Sequence, residues 1–122
     1  MAVISSKPNL TPNALTVLAR RYLKKDAQGR VAESTDELFR RVANNVAQAD
    51  LLYDDHGDIR ETEDAFYGML SRLEFLPNSP TLMNAGRPLQ QLAACFVLPI
   101  EDSLESIFES VKNTALIHQS GG

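Results

Sequence analysis

Residues 92–98, Leu-Ala-Ala-Cys-Phe-Val-Leu, form an unbroken apolar run closed by Pro99, and this run constrains the fold more than any other stretch. A short run without alternation reads as a strand buried on both faces, as in parallel or mixed sheets flanked by helices. Asp102 follows as a helix opener. Its carboxylate is placed to accept the free N–H groups of the first turn, and Glu105, three residues on, completes a capping box. Strand, acidic turn and capped helix make one unit of an α/β architecture. The final helix is expected over 103–118, with Leu104, Ile107, Phe108, Val111 and Ala115 on one side.

The residues ahead of this unit read as helices. Residues 1–10 are expected to form a flexible tail. Thr11 then caps a helix whose first position is Pro12, where a missing N–H costs nothing, and Leu15, Leu18, Ala19 and Tyr22 follow at helical spacing. Asp26 to Gly29 reads as a turn. Ser34 and Glu37 have capping-box spacing at the head of a second helix, expected to run to about Leu52 with Leu38, Val42, Val46 and Ala49 as its stripe. A third helix is expected from Thr62, as its cap, to Glu74. Residues 75–86 contain two prolines with Asn, Ser and Gly between apolar anchors, and read as a loop. The domain division is therefore a helical domain at 11–75 and the start of an α/β domain at 76–122.

Composition narrows the function classes. The 122 residues carry 12 basic and 16 acidic side chains, a formal net charge of −4, so nothing pulls the chain globally towards nucleic acid or an anionic membrane. No apolar run approaches the ~20 residues that span a bilayer. One cysteine closes no disulfide within the chain, which suits the reducing cytoplasm. Asp54, Asp55 and Asp58 around Gly57 lack the bidentate Glu of a calcium loop and read as a polar turn. His56 and His118 have no partners at zinc spacing, so no metal site is expected. The cluster Arg20, Arg21, Lys24, Lys25 and Arg30 reads as a solvated face. On residue type alone Cys95 is a small apolar packing residue, Asp102 a helix cap and Thr81 a turn hydroxyl. A stand-alone helical interaction domain and a regulatory nucleotide-binding module both fit these readings.

Longer motifs carry a resemblance. Phe75-Leu-Pro-Asn-Ser-Pro-Thr-Leu-Met-Asn-Ala-Gly86 is followed by Ala93-Ala-Cys-Phe-Val-Leu-Pro99, Glu101-Asp-Ser-Leu-Glu-Ser-Ile107 and His118-Gln-Ser-Gly-Gly122. In that order they resemble the catalytic chain of the ribonucleotide reductases, most closely the class II, adenosylcobalamin-dependent members. Leu10-Thr-Pro-Asn-Ala-Leu15, Arg21-Tyr-Leu-Lys-Lys-Asp26 and Glu37-Leu-Phe-Arg-Arg-Val-Ala43 fit the same family.

The resemblance implies a mainly α N-terminal domain followed by the first strand and helix of an α/β, ten-stranded barrel. It implies that Cys95 is one of two thiols that deliver electrons to the ribose 2′ position. Thr81, Ala94 and Cys95 match substrate-binding positions, with Thr81 near the phosphates. Asp102, Ser103 and Leu104 match the turn that holds a deoxynucleotide effector. Ala94, where class I relatives often carry serine, leans the likeness towards class II. The implied partners are a ribonucleotide substrate, the effector, a thioredoxin-like reductant, the C-terminal remainder of the same enzyme and a second copy docked through the 103–118 helix. Adenosylcobalamin is implied for that remainder and not for these residues. The chain accordingly reads as an N-terminal fragment, inactive alone.

Overall fold

The computed structural model describes residues 8–54 and 56–122. Among the described residues five α-helices occur in the order α1 (Pro12–Arg21), α2 (Thr35–Ala47), α3 (Arg60–Ser71), α4 (Ser79–Asn84) and α5 (Leu104–Ser120), with a 3₁₀ turn, Gln48–Leu52, after α2. The tail reading at 1–7 and the Asp55 position lie outside the described residues.

The first two helices begin where local chemistry places them. Thr11 accepts the Ala14 N–H at 3.2 Å with Pro12 just inside the helix. At α2 the capping box is complete: Ser34 Oγ accepts from Glu37 N at 3.2 Å and Glu37 Oε2 accepts from Ser34 N at 2.7 Å. The helix is shorter than its apolar stripe suggested. It gives way to the 3₁₀ turn at Gln48, and Val46 and Ala49 are exposed. In the turn at 26–30, Asp26 Oδ1 accepts the amides of Gln28 and Arg30, both at 2.9 Å, and Gly29 takes the positive φ of 79° that the reversal requires. The basic cluster around it is exposed, in keeping with a solvated face.

α2 is the centre of the core. Leu38, Phe39, Val42, Ala43 and Ala47 are buried on it, and the first four meet Tyr67 and Leu70 of α3, Leu82 of α4, Ala85 and Leu23. Each large apolar side chain removed from water there contributes about 1.5–3 kcal/mol. Polar contacts fix the crossing of α2 and α3. Arg40 lies 3.6 Å above the Tyr67 ring and pairs with Asp64 at 2.8 Å, the Tyr67 hydroxyl donates to Asp36, and Asn44 donates to Glu63 at 2.8 Å.

Three expectations are corrected. The third helix starts at Arg60, not Thr62, because the Asp58 carboxylate takes the Arg60 amide at 3.0 Å while the Thr62 hydroxyl turns to Asp50 at 2.9 Å. It also ends at Ser71, before Glu74. Residues 79–84 form a helix and not a loop: Asn78 caps it, accepting from Thr81 N at 3.0 Å, and Pro80 falls in the first turn, where no N–H is needed.

The expected strand at 93–98 is not formed. Among the described residues there is no ladder, only one isolated bridge between Lys25 and Val31. A strand requires a neighbour to accept and donate its backbone hydrogen bonds, and among the described residues none flanks this run. α5 is present as expected over most of its length, but Ser103 is its cap, accepting from Ser106 N at 3.2 Å, in place of the Asp102–Glu105 box. Its apolar side is uncovered: Leu104 is 75%, Phe108 68% and Val111 60% exposed.

Candidate functional site

Two polar systems hold α4 and the turn that leads to the segment carrying Cys95. The first is buried. Glu33 and Arg41, with side chains only 4% and 8% exposed, pair through Nε–Oε1 at 2.7 Å and Nη2–Oε2 at 3.1 Å. Burial pushes the Glu33 carboxyl up, but the Arg41 guanidinium and the Lys24 amide, 3.0 Å from Oε2, outweigh it and hold Glu33 below the ordinary glutamate value. Arg41 spends its other donors on the carbonyls of Ala85 and Leu82, the latter at 3.3 Å. Those carbonyls stand at the C-terminal end of α4. The Gly86 amide, which would continue the helix back to Leu82, is instead given to the Gln90 side chain at 2.9 Å. Gly86 has φ of 66°, and a Cβ there would lie 3.1 Å from Arg41 Cγ, so the chain turns closely over the arginine stem.

Arg87 completes the cluster. It donates to the Tyr22 carbonyl at 3.2 Å and stands 3.9 Å from Glu33. Its buried Nε has no partner, and burial, followed by repulsion from Arg41, lowers its pKa.

The second system joins α4 to the cysteine segment. The Thr81 hydroxyl is buried, 2.6 Å from Asn78 Oδ1 and 2.9 Å from the Leu92 carbonyl. Asn84 holds the Gln91 carbonyl at 2.9 Å, and Gln90 donates to Asn45 of α2 at 2.9 Å. α4 and the following turn are thus fastened to the chain three residues before Cys95.

Of the candidate site residues named from the sequence, Thr81 alone is buried, while Ala94 and Cys95 are exposed. Ala94 and Cys95 line a hollow of about 260 Å³ whose far wall is Thr114, Ile117 and His118 of α5. Asp102, Ser103 and Leu104 are exposed at the opposite end of that helix, where Ser103 lines a polar hollow of about 430 Å³ with Glu101, Glu105 and Ser106. About 13 residues at 1.5 Å rise separate the two ends, roughly 20 Å. Leu98 lines both hollows, so the segment from Ala94 runs back along α5. The structure therefore brings Thr81 to the base of the cysteine segment and leaves the 102–104 turn apart from it. No group of three His, Cys, Asp or Glu able to hold a metal occurs among the described residues.

Sequence reasoning missed Glu33, Arg41 and Asn78. A signal for Arg41 existed: it stands three residues after Leu38 and one before Val42, on the apolar side of α2, where a charge demands a partner. Asn78, two residues before a proline, is an N-cap signature.

An all-α domain that delivers a cysteine segment to the flank of a further helix defines the class. Residues 8–90 match the family model described as "Ribonucleotide reductase, all-alpha domain", and the chain belongs to the ribonucleotide reductase family. The vitamin B12-dependent ribonucleoside-diphosphate reductase of Mycobacterium tuberculosis is 54% identical over 109 residues, which cover 89% of this chain and 16% of that protein. The enzyme of the same name from Thermoplasma acidophilum is 38% identical over 167 aligned positions, covering 93% of this chain and 22% of its own. A ribonucleoside-diphosphate reductase large chain of Schizosaccharomyces pombe is 35% identical over 106 residues, covering 86% of this chain and 12% of its own. The chain thus spans about a fifth or less of the length of these relatives.

Proposed function

We propose that this chain supplies the N-terminal helical domain and the first cysteine-bearing segment of a ribonucleotide reductase that acts on ribonucleoside diphosphates. The observation that carries this reading is the placement of Cys95. It stands in an apolar segment that is anchored at its base, where the Thr81 hydroxyl lies 2.9 Å from the Leu92 carbonyl three residues before it. In the proposed reaction Cys95 and a second thiol lose two electrons and two protons and become a disulfide. The ribose 2′-hydroxyl leaves as water and its carbon gains hydrogen. The sequence contains one cysteine, so the second thiol comes from outside these 122 residues.

Thr81 and Ala94 contact the substrate in this reading, with Thr81 next to the phosphates. The exposed turn of Asp102, Ser103 and Leu104 holds the deoxynucleotide effector. The uncovered apolar side of α5 packs on a second copy. Residues 92–98 gain their ladder partners as the first strand of a ten-stranded barrel, with the boundary between helical domain and barrel near residue 76. Adenosylcobalamin, carried by another part of the enzyme, supplies the radical chemistry, and no residue of this chain is assigned to it. A thioredoxin-like reductant returns the disulfide to thiols in the cytoplasm.

The test is a single turnover of the complete reductase with substrate and without reductant, quenched and alkylated for peptide mass spectrometry. Cys95 should enter a disulfide in step with deoxynucleotide formed. Cys95→Ser should end sustained turnover and leave substrate binding largely intact. A Cys95 that stays fully reduced after one turnover is a packing residue, and the assignment fails.

A further inference from the structure

We infer that Arg41, held in place by Glu33, is a positioning residue for nucleotide binding, acting through α4 on Thr81 and on the backbone that leads to Cys95. The inference rests on the assignment of Thr81 to the substrate phosphates. A helix of six residues does not persist on its own, because nucleation costs more than so few hydrogen bonds return. α4 is held at both ends. Asn78 takes the amide of Thr81 at the start, and Arg41 takes the carbonyls of Leu82 and Ala85 at the finish.

The guanidinium uses a rigid fork for this. Nε and Nη2 are occupied by Glu33, Nη1 reaches Ala85, and Nη2 also reaches Leu82. Two of these four contacts fix the plane of the guanidinium on Glu33, and the other two set the end of α4 relative to α2. Rotation of α4 moves the Thr81 hydroxyl, and its bond to the Leu92 carbonyl carries that movement to the cysteine segment. The pair sits in the core of the helical domain, away from the exposed Cys95, so it touches none of the reacting atoms.

The test uses the complete reductase with a ribonucleoside diphosphate, measuring its Kd by equilibrium binding together with KM and kcat. Arg41→Lys keeps the charge and loses the fork. It should raise Kd and KM roughly tenfold and lower kcat by a smaller factor, since a small displacement of a binding group is costly. Glu33→Gln, which keeps shape and one acceptor, should move Kd in the same direction by a smaller factor and serves if Arg41→Lys does not fold. Thr81→Val should weaken binding, and adding Arg41→Lys to it should cause no further loss, the non-additivity expected of residues that act as a unit. Unchanged Kd in Arg41→Lys, or in Glu33→Gln where only that variant folds, with Thr81→Val impaired, overturns the role of Arg41 alone. Strictly additive losses do the same. Unchanged Kd in Thr81→Val removes the assignment of Thr81 and this inference with it.

Discussion

At the scale of single residues, the buried pair of Glu33 and Arg41 dominates. Removing one member of such a pair leaves a charge without solvent or partner, so Arg41→Met should destabilise the protein by about 3–5 kcal/mol in urea unfolding. Replacing both, Glu33→Leu with Arg41→Met, should restore only part of that loss: no charge is left unpaired, but the Lys24 amide and the carbonyls of Leu82 and Ala85 lose their partners. The pH dependence has a definite sign. Glu33 has a folded pKa below its unfolded value, so its contribution is fully present above the unfolded value of about 4.3 and is lost as pH falls through the lower folded pKa. Urea midpoints should fall across that acid window, and Glu33→Gln should flatten the slope. A slope unchanged by Glu33→Gln would place the acid sensitivity elsewhere. Asp102 has a different role. It makes no cap, so Asp102→Ala should leave the helix intact. In the complete reductase it should weaken deoxynucleotide effector binding by about 1–3 kcal/mol, the range for a hydrogen bond to a charged group. Equal effector affinity in titration calorimetry would remove Asp102 from the effector turn.

Among the elements, α2 and α5 are contrasting cases. α2 is capped by a complete box and buried along one side, whereas α5 has a single serine cap and exposes most of its apolar residues. Ser34→Ala should cost about 1 kcal/mol of global stability because α2 is the centre of the core. Ser103→Ala should instead fray α5 locally, detectable as faster amide exchange near Leu104 without a matching loss in global midpoint. The uncovered side of α5 is the surface proposed for self-association. Phe108→Glu should shift the complete reductase from dimer to monomer in sedimentation velocity, since a carboxylate at the centre of an apolar contact is left unpaired. A dimer that persists at the same strength would locate the interface elsewhere. α4 is the most dependent element, too short to persist without the groups at its ends.

For the whole molecule, protection from hydrogen exchange should follow burial. The amides of α2 and α3 should open only with global unfolding, and those at 93–101 should exchange fastest, having no ladder. Slow exchange at 93–98 in the purified 122-residue protein would contradict the absence of strand pairing. The sequence by itself determined what depends on neighbours within a turn of helix. Thr11 with Pro12, Ser34 with Glu37, and the stripe Leu38, Val42 set the starts of α1 and α2 and the buried side of α2, because caps and helical periodicity act over three or four residues. Family membership was legible for a similar reason, since it lies in the order of local motifs. Tertiary structure decided the rest. The apolar run at 92–98 has strand composition but no adjacent backbone to complete it, and so Cys95 is exposed instead of buried. The prolines of 75–86 permitted a helix once Asn78 took the Thr81 amide and Arg41 the carbonyls of Leu82 and Ala85. Arg41 itself stands 41 and 44 positions from the carbonyls it holds. No local rule spans that distance, because the energy of a buried charge depends on what packing brings beside it.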